Sequence, residues 1–166
     1  ADAKFINKDA IITYLIIDSR SVLVPENSLF FALMSHRDGH AFIADAYDKG
    51  IRNFVITENK FLLKYNDCNF LVVNDGLKAL QSLATFHRDQ FDLKTIGITG
   101  SNGKTIVKEW LYQLLASDFT IVRSPKSFNS QIGVPLSVWE IDAEHNLGIF
   151  EAGISAINEM ECLADI

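Results

Sequence analysis

The stretch Thr95–Thr105, TIGITGSNGKT, decides how this chain is read. Thr95–Thr99 is a β-branched run interrupted only by Gly97, the pattern of a buried strand. Gly100, Ser101, Asn102 and Gly103 follow as a turn, and Lys104 and Thr105 open a segment of helical periodicity. Glycines permit a tight turn and let a phosphate approach backbone N–H groups. The helix N-terminus adds unpaired donors and the positive end of a dipole. Lys104 is placed to neutralise the outer phosphates of a nucleotide, and the Thr105 hydroxyl to ligate the Mg²⁺ that rides on them. The spacing is G-x-x-G-x-x-G-K-T from Gly97. A strict P-loop would carry glycine at position 98, which is Ile98. The bland alternative is a glycine-rich turn beside an incidental lysine. A strand before, a helix after and GKT at their junction favour phosphate.

Working outward, β-rich apolar runs lie at Ile11–Ile17, Leu29–Leu33, Asn53–Thr57, Asn69–Val73, Thr120–Arg123 and Leu147–Phe150. Helical patterns separate several of them. HAFIADAYDKG stops at Gly50. GLKALQSLATFHRDQF aligns Leu77, Leu80, Ala84, His87 and Phe91 on one face, with His87 expected as a satisfied core histidine. KTIVKEWLYQLLAS aligns Val107, Trp110, Leu111, Leu114 and Leu115, which places Trp110 in the core. Alternating strands and helices predict an α/β fold with a largely parallel sheet. A seam at Phe91–Lys94 predicts two domains. Residues 1–92 form a small α/β domain, and 93–166 form the first part of a P-loop, mostly parallel-sheet nucleotide-binding domain.

Composition narrows the classes. The chain has 166 residues, a formal charge of −6 and a pI near 5.1, so it lacks the basic footprint of a nucleic-acid binder. IITYLII is too short to cross a bilayer and has no cleavage-like flank, so neither membrane insertion nor a signal peptide is expected. Cys68 and Cys162 show no metal spacing and no disulfide framework, which predicts a reducing, cytoplasmic setting. The start at Ala1 and the stop inside NEMECLADI read as a piece of a longer chain. His36 and His145 show no partner in the sequence, and no nucleophile–base motif of the hydrolase kind is present.

GITGSNGKT resembles the ATP loop of the Mur ligases, the cytoplasmic amide-forming enzymes of peptidoglycan precursor synthesis. IDSRSVLVPENSLFFAL and RDGHAFIADAYDKGI resemble the amino-terminal UDP-substrate domain of that family. KSFNSQIGVPLSV is similar to its asparagine-rich loop and following helix, and EAGISAINEMECL to its E-x-G strand end. The motifs run in order over nearly the whole chain. Their wording is most similar to the member that adds D-alanyl-D-alanine to UDP-N-acetylmuramoyl-tripeptide, with a weaker likeness to forms fused to an alanine racemase. The tripeptide-forming ligase and a non-catalytic P-loop module stay open as alternatives. The sequence departs from the family wording at Ile106, where Ser or Thr is common, and at Asn158, where Gly is common.

The resemblance implies ATP and Mg²⁺ as cofactors, Lys104 as the catalytic cation, Gly100–Thr105 as the phosphate cradle, and Thr105 with Glu151 as magnesium ligands. From the sequence alone, Glu151 is equally a strand-end carboxylate facing the ligand crevice or a solvated one. Asn129 and Ser130 are read either as turn and cap residues or as substrate contacts lining the cleft. Ser19 and Arg20 follow a strand directly, and the family pattern favours contact with the uridine diphosphate over a turn with an ion pair. Arg37, Asp38, Gly39 and His40 read mainly as a polar loop with an Asx turn. The remaining catalytic parts of the family are expected beyond Ile166. These residues alone are then expected not to ligate, and their uncovered apolar edges to favour self-association.

Overall fold

The computed structural model describes residues 3–6, 9–35 and 37–166. They form two compact units, Ala1–Ala79 and Leu80–Ile166.

In the first unit the strands β1 (Ala3–Lys4), β2 (Tyr14–Ile16), β3 (Ser28–Phe31), β4 (Asn53–Ile56) and β5 (Asn69–Val72) pair in the order β1-β5-β4-β3-β2. β2 to β5 are parallel, and β1 runs antiparallel at the edge beside β5. The register sets Phe30 beside Phe54 and Phe54 beside Phe70. Their rings meet at 6.0 Å edge-on and 5.4 Å stacked, and all three are buried. Each such aromatic pair adds about 0.5–1.5 kcal/mol beyond the area it buries. Helix α1 (Ile43–Asp48) buries Ile43 and Ala46 on this layer. The chain leaves it through Gly50 at φ +99°, the left-handed stop that the sequence predicts. Ile11 is 73% exposed, so the first apolar run contributes only its second half to the sheet.

Helix α2 (Gly76–Arg88) starts at Asp75, whose carboxylate accepts the Leu77 and Lys78 N–H groups at 2.9 and 3.1 Å. The units divide within this helix, at Ala79–Leu80, rather than at the expected seam near residue 92. The cause is packing. Ala84 joins the core of the second unit, and His87 Nε2 lies 2.8 Å from the Ile141 carbonyl with its ring against Trp139 and Phe91. His87 is thus the satisfied core histidine expected.

The second unit holds β6 (Lys94–Ile98), α3 (Lys104–Leu115), β7 (Ile121–Arg123), α4 (Gly133–Val138), β8 (Leu147–Glu151) and α5 (Glu159–Ala164). Its sheet is wholly parallel, in the order β6-β8-β7. Side-chain alternation divides it into two faces. Ile98, Leu147 and Ile149 pack with Leu111 and Leu115 of α3. Val122 and Phe150 pack on the opposite side with Val134, Val138, Leu163 and Ile166. Trp110 corrects the sequence reading: it is 64% exposed, as Leu114 is at 73%. The sheet-facing stripe of α3 keeps the expected Leu111 and Leu115, half-buried, and adds Lys108, the one fully buried residue of the helix.

Two further expectations resolve. Both cysteines are free, and burial pushes the Cys68 thiol up to about 12. His145, unpartnered in the sequence, pairs with Asp142 at 2.7 Å, while His36 lies outside the described residues. No helix among the described residues is long and apolar enough to cross a membrane.

Candidate functional site

The turn after β6 takes its shape from two glycines. Gly100 has φ +141° and Gly103 φ +79°, a region where side chains with a Cβ are strained. Gly103 is the residue before α3, and no side chain caps this helix end. The first helical hydrogen bond runs from Val107 N to Gly103 O at 2.9 Å. The N–H groups of the preceding positions are therefore the unpaired donors that a helix N-terminus offers an anion. Lys104 Nζ donates to the Gly100 carbonyl at 2.7 Å, which lays its charge across the loop. Gly97 differs from these two in its φ, which lies outside the left-handed region.

The register aligns Ile98 with Glu151, so the end of β8 stands beside the start of the loop. Parallel sheets gather ligands at this carboxyl edge. The Thr105 hydroxyl donates to Glu151 Oε2 at 3.1 Å. Glu151 is fully buried, its backbone N–H donates to Ser124 Oγ at 3.0 Å, and its Oε1 lies 2.9 Å from Lys108 Nζ. That approach is close enough for an ion pair but not aligned as a hydrogen bond, so Oε1 has no well-directed donor. Lys108 is also fully buried; it donates to the Ser124 carbonyl at 2.7 Å and to the Lys126 carbonyl. Glu109 stands 3.4 Å away and is itself paired with Arg123. A hydroxyl and a carboxylate beside a phosphate-type turn are hard oxygen donors of the kind Mg²⁺ takes.

Asn129 and Ser130 sit on the segment facing this strand end. Gly153 N donates to the Asn129 carbonyl at 2.7 Å, and a Cβ on Gly153 would come within 3.0 Å of the Asn129 amide. Ser130 Oγ accepts the Gly133 N–H at 3.1 Å at the start of α4. Gly133 has no room for a side chain, because a Cβ would lie 2.9 Å from the Phe128 backbone. Asn158, the departure from the family wording, has φ +69°, which Asn tolerates better than other side chains.

In the first unit Ser19 is buried, its carbonyl accepting Lys49 Nζ at 2.9 Å, while the Arg20 side chain is 85% exposed and pairs with Asp18 at 2.6 Å. The Arg20 guanidinium holds the Asp18 carboxyl down at about 2. The Arg37–His40 loop contains the predicted Asx turn, with Asp38 Oδ1 accepting His40 N at 2.9 Å. His40 is buried; Nδ1 meets Asp38 at 2.7 Å and Nε2 accepts the Thr57 N–H at 3.0 Å. Asp38, His40 and Glu58 cluster within 4.8 Å, but both ring nitrogens are already engaged in holding the loop to the end of β4.

Lys108 is the residue that sequence reading missed. A lysine within a helix reads as a solvated position, and its partners come from Ser124, Lys126 and Glu151, far away in the chain. The available signal was the Lys108–Leu111–Leu115 spacing, which puts it on the sheet-facing stripe.

Comparison with known proteins places the chain among relatives. Residues 98–166 match the Mur ligase middle domain. The UDP-N-acetylmuramoyl-tripeptide--D-alanyl-D-alanine ligases of Treponema pallidum and Borreliella burgdorferi are 39% and 32% identical over 90% and 99% of the chain. The chain spans only 34% and 38% of the length of those two relatives. A crystal structure of MurF from Acinetobacter baumannii superposes on 92% of the chain with a TM-score of 0.83 at 28% identity, using 33% of its own length. MurF ligase from Thermotoga maritima in complex with ADP covers 95% with a TM-score of 0.79 at 26% identity, using 36% of its length. On these grounds the chain is a member of the Mur ligase family, with the family's middle domain at residues 98–166.

Proposed function

We propose that the chain supplies the substrate-holding and phosphate-holding parts of a cytoplasmic, ATP-dependent amide ligase of the MurF type. The reaction joins the tripeptide carboxylate of UDP-N-acetylmuramoyl-tripeptide to the amine of D-alanyl-D-alanine. The observation that carries this reading is the meeting of Thr105 and Glu151, 3.1 Å apart, beside Lys104 at the open N-terminus of α3. The names of the relatives support the choice of substrates.

A carboxylate repels nucleophiles, so amide formation needs it activated. Transfer of the γ-phosphoryl group of ATP gives an acyl phosphate, which the dipeptide amine attacks with loss of phosphate. The protein's part is placement and charge neutralisation. The N–H groups at Gly100–Thr105 would hold the phosphates, and Lys104 would offset the charge moving onto the leaving ADP. Thr105 and Glu151 would hold the magnesium ion, which when bound draws charge from the β- and γ-phosphates. Asn129 and Ser130, beside the same strand end, would border the muramoyl-peptide. In the first unit Ser19 and Arg20 would contact the uridine diphosphate. Binding energy gained there serves to bring the distant carboxylate to the γ-phosphate.

The test is a substrate panel on an active ligase containing this chain, with product read by mass spectrometry. The expected product is the pentapeptide from UDP-tripeptide and D-alanyl-D-alanine. Extension of the dipeptide precursor with a single amino acid, and none of the tripeptide, would assign the chain to the preceding ligation step instead.

A further inference from the structure

We propose that Lys108 is a positioning residue that fixes how Glu151 meets a metal ion: it occupies Oε1, so that only Oε2 is presented beside Thr105. The inference rests on the reading of Thr105 and Glu151 as magnesium ligands. Lys108 and Glu151 are both fully buried, with 2.9 Å between Nζ and Oε1. The other oxygen, Oε2, accepts the Thr105 hydroxyl at 3.1 Å. The two carboxylate oxygens thus face different partners, one a fixed cation and one the side of the loop.

The ammonium is itself immobilised. Its hydrogen bonds go to the Ser124 and Lys126 carbonyls. Lys126 has φ +52°, a left-handed conformation that a non-glycine residue holds only when its surroundings require it. Ser124 reaches back through its hydroxyl to the Glu151 N–H at 3.0 Å. Lys108 therefore clamps three things at once: the strained turn after β7, the end of β8, and one oxygen of the carboxylate. A buried ion pair contributes little net stability compared with apolar packing, so its value here lies in orientation. Oε1 meets the ammonium as an ion pair at 2.9 Å rather than as an aligned hydrogen bond, and an oxygen facing a fixed buried cation is a poor second donor to a metal. Glu151 would then act through a single oxygen, and loss of Lys108 would leave the carboxylate free to turn away from Thr105.

The experiment is a double-mutant cycle on the chain, using Lys108→Met, Glu151→Gln and both together. Mn²⁺ affinity in the presence of ADP is read from the electron paramagnetic resonance signal of free Mn²⁺, and circular dichroism reports the fold. Loss of a residue that orients a ligand typically weakens metal binding about 10–100-fold, and that is the loss expected for Lys108→Met. In the Glu151→Gln background the same change should cost almost nothing further, because Lys108 acts through Glu151. If Lys108→Met does not fold, Lys108→Gln takes its place in the cycle, keeping a donor without the charge. Unchanged Mn²⁺ affinity in the folded Lys108 variant, or equal losses in both backgrounds, overturns the inference. Unchanged affinity in Glu151→Gln overturns the underlying metal reading instead, so the two failures are distinct.

Discussion

Two carboxylates stand after or at the end of parallel strands in this molecule, each beside a cation, and their surroundings are opposite. Asp18 and Arg20 pair at 2.6 Å with side chains 43% and 85% exposed. Glu151 and Lys108 pair at 2.9 Å with both side chains fully buried. Water screens the first pair, which contributes little to stability. The second has lost its water and depends on every partner that replaces it. A protein gains nothing from such a burial unless the position of the charge matters. The contrast marks the second unit as the place where geometry is enforced, and the first as a surface where the Arg20–Asp18 pair stays open to water.

The same change made in both regions sharpens this contrast. Glu151→Gln strands the Lys108 ammonium in the interior and should lower unfolding stability by about 3 kcal/mol, read from urea denaturation. In an active ligase it should also raise the Mg²⁺ concentration needed for turnover. A loss no larger than that of Asp18→Asn would erase the distinction. Next in size is removal of the loop cation. Lys104→Ala should slow an active ligase by about 10²-fold, the scale for losing one preorganised electrostatic group. Near-normal turnover in that variant would return Lys104 to the role of a turn residue.

Arg20→Ala asks whether the first unit also serves a ligand. Affinity for UDP-N-acetylmuramoyl-tripeptide should fall by about tenfold with ADP affinity unchanged, measured by calorimetry. Equal losses for both ligands would indicate a folding defect, and no loss would leave Arg20 as the partner of Asp18 alone. The smallest effect is the pH dependence of that pair. The Asp18 carboxyl lies at about 2 when folded, against 3.8 unperturbed. Its contribution is therefore full above the unfolded value and is lost as pH falls toward 2. The stability difference between wild type and Asp18→Asn should shrink over that window. A difference that grows on acidification would reverse the sign of the interaction.

Much of the fold was legible because its signals are local. The strand runs at Asn53–Ile56, Asn69–Val72 and Leu147–Glu151, and the glycine turn into α3, declare themselves within a few residues. β1 did not, since two residues carry no period and their place is set by pairing with Phe70 and Leu71. Trp110 was misplaced because the apolar positions of α3 outnumber those the three-stranded sheet covers, and amphipathic pattern alone does not say which stripe is chosen. Here the choice follows Lys108, whose ammonium needs carbonyls and a carboxylate supplied by two distant segments. The division of α2 between units was hidden for the same reason: it depends on what Ala84 and His87 touch, not on where the helix ends.

The most direct measurement is a crystal structure of the chain with ADP and Mg²⁺. The account predicts the β-phosphate against the N–H groups of Gly100–Thr105 and the metal at about 2.1 Å from Thr105 Oγ1, with Glu151 Oε2 facing it directly or through one water. ADP bound away from the start of α3, or a metal site that leaves Thr105 and Glu151 joined only to each other, would contradict it.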